Sequence, residues 1–259
     1  MKNLLAASLL CICASVAAHA ASPWDGTWKL NRAKSHLTGS SYTYSQVANG
    51  KWHVSIGPLG LDITTDGKPY PVFDNDHMSM TTMPDAHTLK TVNQFKGKTM
   101  STSIDTLSAD GNTISDITTG VHEDGTTYTT TETDVRSGPG SGFLGTWTST
   151  KESNSAPSIF MISTASNGMV TFTNPTSKST LTVKLDGTPA APVGPSETEG
   201  VMVAYKAVSP RRLDYSVTLK GKKIVDGYDE LSADGKTYTE VSWLVGKMSE
   251  KTTSVYDKQ

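Results

Sequence analysis

The chain has 259 residues with 25 acidic against 23 basic side chains, a formal net charge of −2, so it offers no basic surplus for holding nucleic acid or an anionic lipid surface. Its only cysteines, Cys11 and Cys13, sit in an amino-terminal segment read below as cleaved, which excludes a disulfide-stapled fold and a thiol nucleophile. Low aromatic content, at 7%, with abundant Thr and Ser, points to β-strands that turn one polar face to water.

Residues 1–20 carry Lys2, an apolar run from Leu4 to Ala18 and a small-x-small ending at Ala18-His19-Ala20, the layout of a secretory signal cleaved after Ala20. The apolar run is shorter than the roughly 20 residues that a bilayer core demands, so no transmembrane insertion is expected and the location implied is secreted or periplasmic. Leu10 precedes Cys11 and Ile12 precedes Cys13, whereas lipid attachment needs a small residue there.

From Ala21 onward the apolar pattern alternates with period two and turn signals recur every 8 to 12 residues or so, as in a sandwich or barrel. Gly26-Thr27-Trp28 opens the first strand. Trp52, Val54 and Ile56 share a strand face opposite His53, and Pro69 and Pro71 mark a non-regular crossing. Met78 and Met80 share the next strand face, followed by Leu89, Thr91, Asn93 and Phe95 on another. Met100 and Ile104 then give way to Leu107, a change of parity that predicts a β-bulge. Ser108-Ala109-Asp110-Gly111 reads as a type I turn closed by a positive-φ glycine, and Ile114, Ile117 and Val121 follow.

The whole pattern is then written again. Gly145-Thr146-Trp147 answers Gly26-Thr27-Trp28, and Leu231 to Gly235 repeats Leu107 to Gly111 at a spacing of 124 (231 less 107). The fold class expected is all-β, two tandem small antiparallel β-barrels of eight to ten strands each; the alternative is a pair of curled β-sandwich units sharing a continuous sheet. The boundaries expected are a signal peptide at 1–20, a first unit at 21–137, a Gly/Pro/Ser linker at 138–142 and a second unit at 143–259.

A Gly-x-Trp at the first strand of a barrel-sized secreted unit resembles the opening signature of the lipocalin and calycin families, here as Asp25-Gly26-Thr27-Trp28 and Leu144-Gly145-Thr146-Trp147. The resemblance implies that each tryptophan plugs one barrel end under a basic residue from the closing strand. By position, Arg136 is the partner expected for Trp28, and the second copy offers only Lys258. It further implies binding of a small, mostly apolar ligand and no catalysis.

Candidate chemistry is sparse. Asp74-Asn75-Asp76-His77 gathers oxygen ligands and an imidazole but lacks the glycine and distal glutamate of a calcium loop, so a strand connection is the reading and no metal is expected. All five histidines beyond the signal, His36, His53, His77, His87 and His122, lie in the first unit without zinc-binding spacing, and no cofactor is expected. Lys220-Gly221-Lys222-Lys223 and Arg211-Arg212 form a local basic patch too narrow for a polyanion. The function expected is non-catalytic binding of a small hydrophobic or amphipathic ligand inside the first barrel, on a wall of Met78, Met80, Leu89, Phe95, Met100, Ile104, Ile114 and Ile117. The alternatives are an interaction module with dry barrels that binds through loops or a sheet edge, and a hydrolase using first-unit His and Asp residues. Oligomeric state is not encoded in any of these features.

Overall fold

The computed structural model describes residues 22–47 and 51–259. The export signal read at 1–20 lies outside the described residues. Within them the chain is all-β, with nineteen strands in two antiparallel sheets. In chain order these are β1 (Gly26–Leu30), β2 (Ser41–Gln46), β3 (Trp52–Ile56), β4 (Leu59–Ile63), β5 (Tyr70–Val72), β6 (Asp74–Asp85), β7 (Thr88–Phe95), β8 (Lys98–Leu107), β9 (Thr113–Val121) and β10 (Thr127–Arg136). The second copy supplies β11 (Gly145–Asn154), β12 (Ile159–Thr164), β13 (Val170–Asn174), β14 (Ser179–Val183), β15 (Val201–Ser209), β16 (Arg212–Leu219), β17 (Lys222–Leu231), β18 (Thr237–Leu244) and β19 (Thr252–Lys258).

Each sheet curls into a nearly closed barrel, but each barrel takes its Gly-x-Trp strand from the other copy. The first barrel has ten strands in the order β4-β3-β2-β11-β10-β9-β8-β7-β6-β5, and the second has nine in the order β14-β13-β12-β1-β19-β18-β17-β16-β15. Residues 31–40 therefore cross from the second barrel to the first, and residues 155–158 cross back. The 138–142 segment connects β10 to β11, neighbours in one sheet. Arg136 holds that turn closed by donating to the carbonyls of Gly111, Gly142 and Leu144.

The exchange corrects one expectation. Arg136 lies over Trp147, its guanidinium 4.2 Å from the ring centroid, and Lys258 lies over Trp28 at 5.1 Å. Each basic residue covers the tryptophan of the strand it pairs with, Arg136 opposite Trp147 and Lys258 opposite Trp28. The motif glycines make room for these crossings. Gly26 and Gly145 have φ of +144° and +132°, and a Cβ would stand 2.5 Å from the Lys258 side chain or 2.6 Å from the Arg136 guanidinium. Trp28 and Trp147 are both fully buried, and each indole N–H donates to the carbonyl four residues back, at Trp24 and Phe143.

The bulge expected from the parity change is shared by both copies but lies earlier. It falls at Met100 on β8, where Asn93 pairs with Ser101 and Gln94 with Thr99, and at the matching Ile224 on β17. Between Ile104 and Leu107 the ladder runs on unbroken, because Ile104 faces outward and Leu107 inward. The proline-rich segment of the second copy closes its barrel: Ala190 exchanges backbone hydrogen bonds with Val203 on β15, and Val193 with Thr180 on β14. In the first copy Pro71 sits in the short edge strand β5, where its missing N–H is harmless.

Polar contacts join the barrels. Arg32 pairs with Glu152 at 2.6 Å, and Glu250 accepts from the Ser41 backbone and hydroxyl. His77 donates to the Ser196 carbonyl, and Asp74 accepts from the Glu199 N–H. Lys220 and Lys222 of the basic patch reach the Phe73 and Pro58 carbonyls.

Candidate functional site: the barrel interiors

The eight residues read from sequence as a ligand wall do not share one surface. Leu89 and Ile114, at 2% and 1% exposure, belong to the sealed core with Leu107, Phe143 and Trp147. Ile104 and Ile117 face each other across β8 and β9 on the outside of the barrel, 42% and 47% exposed. Met78 and Met80 take the opposite parity to buried Thr81, whose hydroxyl meets that of Thr91 across β6 and β7. Met100 occupies the bulge and borders a Thr- and Ser-rich hollow, while Phe95 packs on the His77 ring. Period-two alternation identifies a strand's two faces without saying which is inner, and one residue of slip reverses them.

Beside that apolar core, four acids also face inward in the first barrel. Asp105 on β8 stands directly opposite Asp116 on β9, which stands opposite Glu132 on β10, with Asp134 one inward position further along β10. All four line a cavity of about 380 Å³ together with Tyr42, Tyr44, Thr91, Ser103 and Thr118. Neighbouring carboxylates repel, and burial removes the water that would screen them. Burial first, then a hydrogen bond and repulsion from Asp116, push the Asp105 carboxyl up to about 8. Asp134 is only 3% exposed; burial raises it to about 6 against the hydrogen bond that Tyr42 donates to its Oδ2 at 2.9 Å. Its Oδ1 has no hydrogen-bond partner among the described residues.

The second barrel repeats the pair and changes its surroundings. Asp229 on β17 stands opposite Glu240 on β18, the positions that match Asp105 and Asp116. By the same ladder register, Thr81, Thr91, Ile114 and Asp134 are replaced by Tyr205, Tyr215, Tyr238 and Tyr256. Ser103 becomes Gly227, over which the Tyr215 ring lies so closely that a Cβ would come within 2.5 Å of it. Phe172 stacks on Tyr205 with centroids 4.7 Å apart, and Phe160 meets Tyr256 edge-on at 4.9 Å.

Phe160, Phe172, Tyr205, Tyr238, Tyr256 and Glu240 wall a pocket of about 210 Å³, beyond the Val170–Val183 pair. Glu240 accepts a 2.6 Å hydrogen bond from Tyr215. Asp229 lies behind, fully buried, with neither oxygen in a well-formed hydrogen bond. Burial and then Glu240 hold its carboxyl well above the usual carboxylate range, and Tyr238 and Tyr205 offset only part of that.

The other candidates resolve into structure. Asp74 opens β6 and accepts from the Asp76 and His77 N–H groups and the His77 ring. Burial opposes its charge, yet these hydrogen bonds and the one from Glu199 hold the carboxyl at about 2. No three His, Cys, Asp or Glu side chains among the described residues gather as a metal would need. Among the described residues no histidine lines the acidic cavity: His53 pairs with Asp62, His87 meets the Leu107 carbonyl and His122 stacks on Tyr128.

The acid pairs are the feature that sequence reading missed. Their signal was the 124-residue spacing that aligns Leu107 with Leu231, since it also aligns Asp105 with Asp229 and Asp116 with Glu240. Among the described residues no helix is long and apolar enough to cross a membrane. No family model matches the chain, and no curated protein or solved structure is significantly similar to it.

Proposed function

We propose that this is an exported, non-catalytic binding protein of lipocalin-like or calycin type, whose second barrel holds a small aromatic or amphipathic molecule bearing one basic group. The observation that carries the reading is the replacement of Thr81, Thr91, Ile114 and Asp134 by four tyrosines around a retained carboxylate pair. Ring faces attract an organic cation by about 0.5–2 kcal/mol each when water is excluded, and Glu240 supplies the countercharge. A space of about 210 Å³, below the usual range for drug-sized ligands, limits the occupant to a small molecule. Export rests on the layout of residues 1–20. The ligand class remains the apolar or amphipathic one expected from the sequence, while its seat moves from the first unit to the second.

Native mass spectrometry of the mature protein, followed by organic extraction, tests for a carried molecule. In titrations with 2-phenylethylamine and its neutral analogue 2-phenylethanol, the amine is expected to bind at least 10-fold tighter. Glu240→Gln should abolish that preference and Tyr205→Ala should weaken both ligands. Equal affinity for amine and alcohol, or an amine preference that survives in Glu240→Gln, would refute the reading.

A further inference from the structure

We propose that the acidic cavity of the first barrel is a second and separate site, which takes an aliphatic polyammonium ion such as a linear diamine or triamine. Four carboxylates, Asp105, Asp116, Glu132 and Asp134, face this space, and among the described residues no Lys, Arg or His side chain lines it. None of the four takes part in an ion pair among the described residues. The next inward acid along the same rung, Glu152 opposite Glu132, is neutralised by Arg32, so the fold supplies a counterion at the rim and omits one inside.

Asp134 shows what the missing counterion costs. It is almost completely buried, lines the cavity, and leaves Oδ1 without any partner. An unpaired buried carboxylate costs free energy, and a cation in the adjoining cavity would offset that cost.

The distribution of charge chooses the ligand. The acids sit on three adjacent strands, so they spread over about 10 Å at the usual strand spacing. That suits two separated ammonium groups better than one compact ion, and no three of the acids stand at metal-holding distance. The hydroxyls of Thr91, Ser103 and Thr118 and the phenol of Tyr42 can accept the remaining ammonium hydrogens, and Val54 and Ile56 flank the methylene chain.

Binding must release a proton near neutrality, because an ammonium group displaces the one held on the Asp105 carboxyl. The groups that face this carboxyl are Asp116 on β9, Glu132 and Asp134 on β10, and Tyr42 and Tyr44 on β2; the charged pairs nearest the rim are Arg32 with Glu152 and Lys247 with Glu250.

Isothermal titration of the mature full-length protein with 1,4-diaminobutane and spermidine, at pH 7 in buffers of different ionisation enthalpy, tests the assignment. Butylamine, calcium chloride and magnesium chloride serve as comparison titrants. The expected result is saturable binding of the diamine at one site, at least 10-fold tighter than butylamine, with release of up to one proton. Asp105→Asn and Asp134→Asn should each weaken it at least 10-fold with circular dichroism unchanged. Glu240→Gln should leave the diamine isotherm as in wild type, which separates this site from the second-barrel pocket.

The absence of saturable diamine binding would overturn the assignment. So would stoichiometric displacement by calcium or magnesium, or equal weakening by Glu240→Gln.

Discussion

The acid pair of the first barrel makes a prediction about stability that needs no ligand. The Asp105 carboxyl sits at about 8 in the folded chain, against the ordinary 3.8 that the unfolded chain returns it to. Between those values the native state holds a proton that the unfolded state has lost, so stability falls as pH rises, by at most ~1.4 kcal/mol per pH unit. From pH 5 to pH 7 the wild-type protein should therefore lose about 2–3 kcal/mol from this carboxyl. Asp105→Asn cannot titrate, and its amide can donate to Asp116 as the protonated acid does, so the variant should gain on wild type by that amount over the same range. Urea unfolding at pH 5, 6, 7 and 8, followed by far-ultraviolet circular dichroism, reads the difference as a midpoint gap that widens with pH. Stability curves that run parallel within about 0.5 kcal/mol would refute the shared-proton account of the pair.

Three further outcomes follow from the geometry. Asp74→Asn should cost up to ~2 kcal/mol at pH 6, since a carboxyl held at about 2 contributes stability above its unfolded value of 3.8 that is lost as pH falls toward 2; acid unfolding curves of variant and wild type should merge at the acid end. Cleavage of a protease site inserted between Gly138 and Gly142 should leave the two fragments bound to each other through native gel filtration, because each sheet keeps a strand from the other fragment; separation into two folded halves would contradict the exchange. Gly227→Ala should destabilise by about 1–3 kcal/mol, since its Cβ would strike the Tyr215 ring, while Ser103→Ala at the matching position should cost less than 1 kcal/mol; equal costs by urea unfolding would show that the ring can move aside.

Strand number, antiparallel pairing and duplication were legible because they rest on local chemistry. Alternation marks strands, and Ser108 to Gly111 closes a hairpin through the Ser108 hydroxyl on Asp110 and a glycine at φ +70°, repeated at Ser232 to Gly235. The candidate site was much less legible. Ile104 and Ile117 look like core to any hydrophobicity argument, yet they pair on the outside, while Asp105 and Asp116 between them point inward. A reading that assigns every apolar residue to the interior fails in a barrel whose interior is partly polar.

The sequence by itself determined that this chain folds as two copies of one all-β motif, since the repeated turns and alternation act over a few residues and need no distant partner. Only the tertiary structure decided which copy of the Gly-x-Trp strand closes which barrel, and hence that Arg136 covers Trp147 and Lys258 covers Trp28. Both strands open with Gly-Thr-Trp and offer the same kind of backbone hydrogen bonds to either sheet, so local pattern cannot choose between them. The choice is made by the connections at 31–40 and 155–158 and by contacts far apart in sequence, such as Arg32 with Glu152 and Ser41 with Glu250. The same long-range pairing turns Asp105, Asp116, Glu132 and Asp134 toward one space, where proximity alone makes ordinary carboxylates into a site.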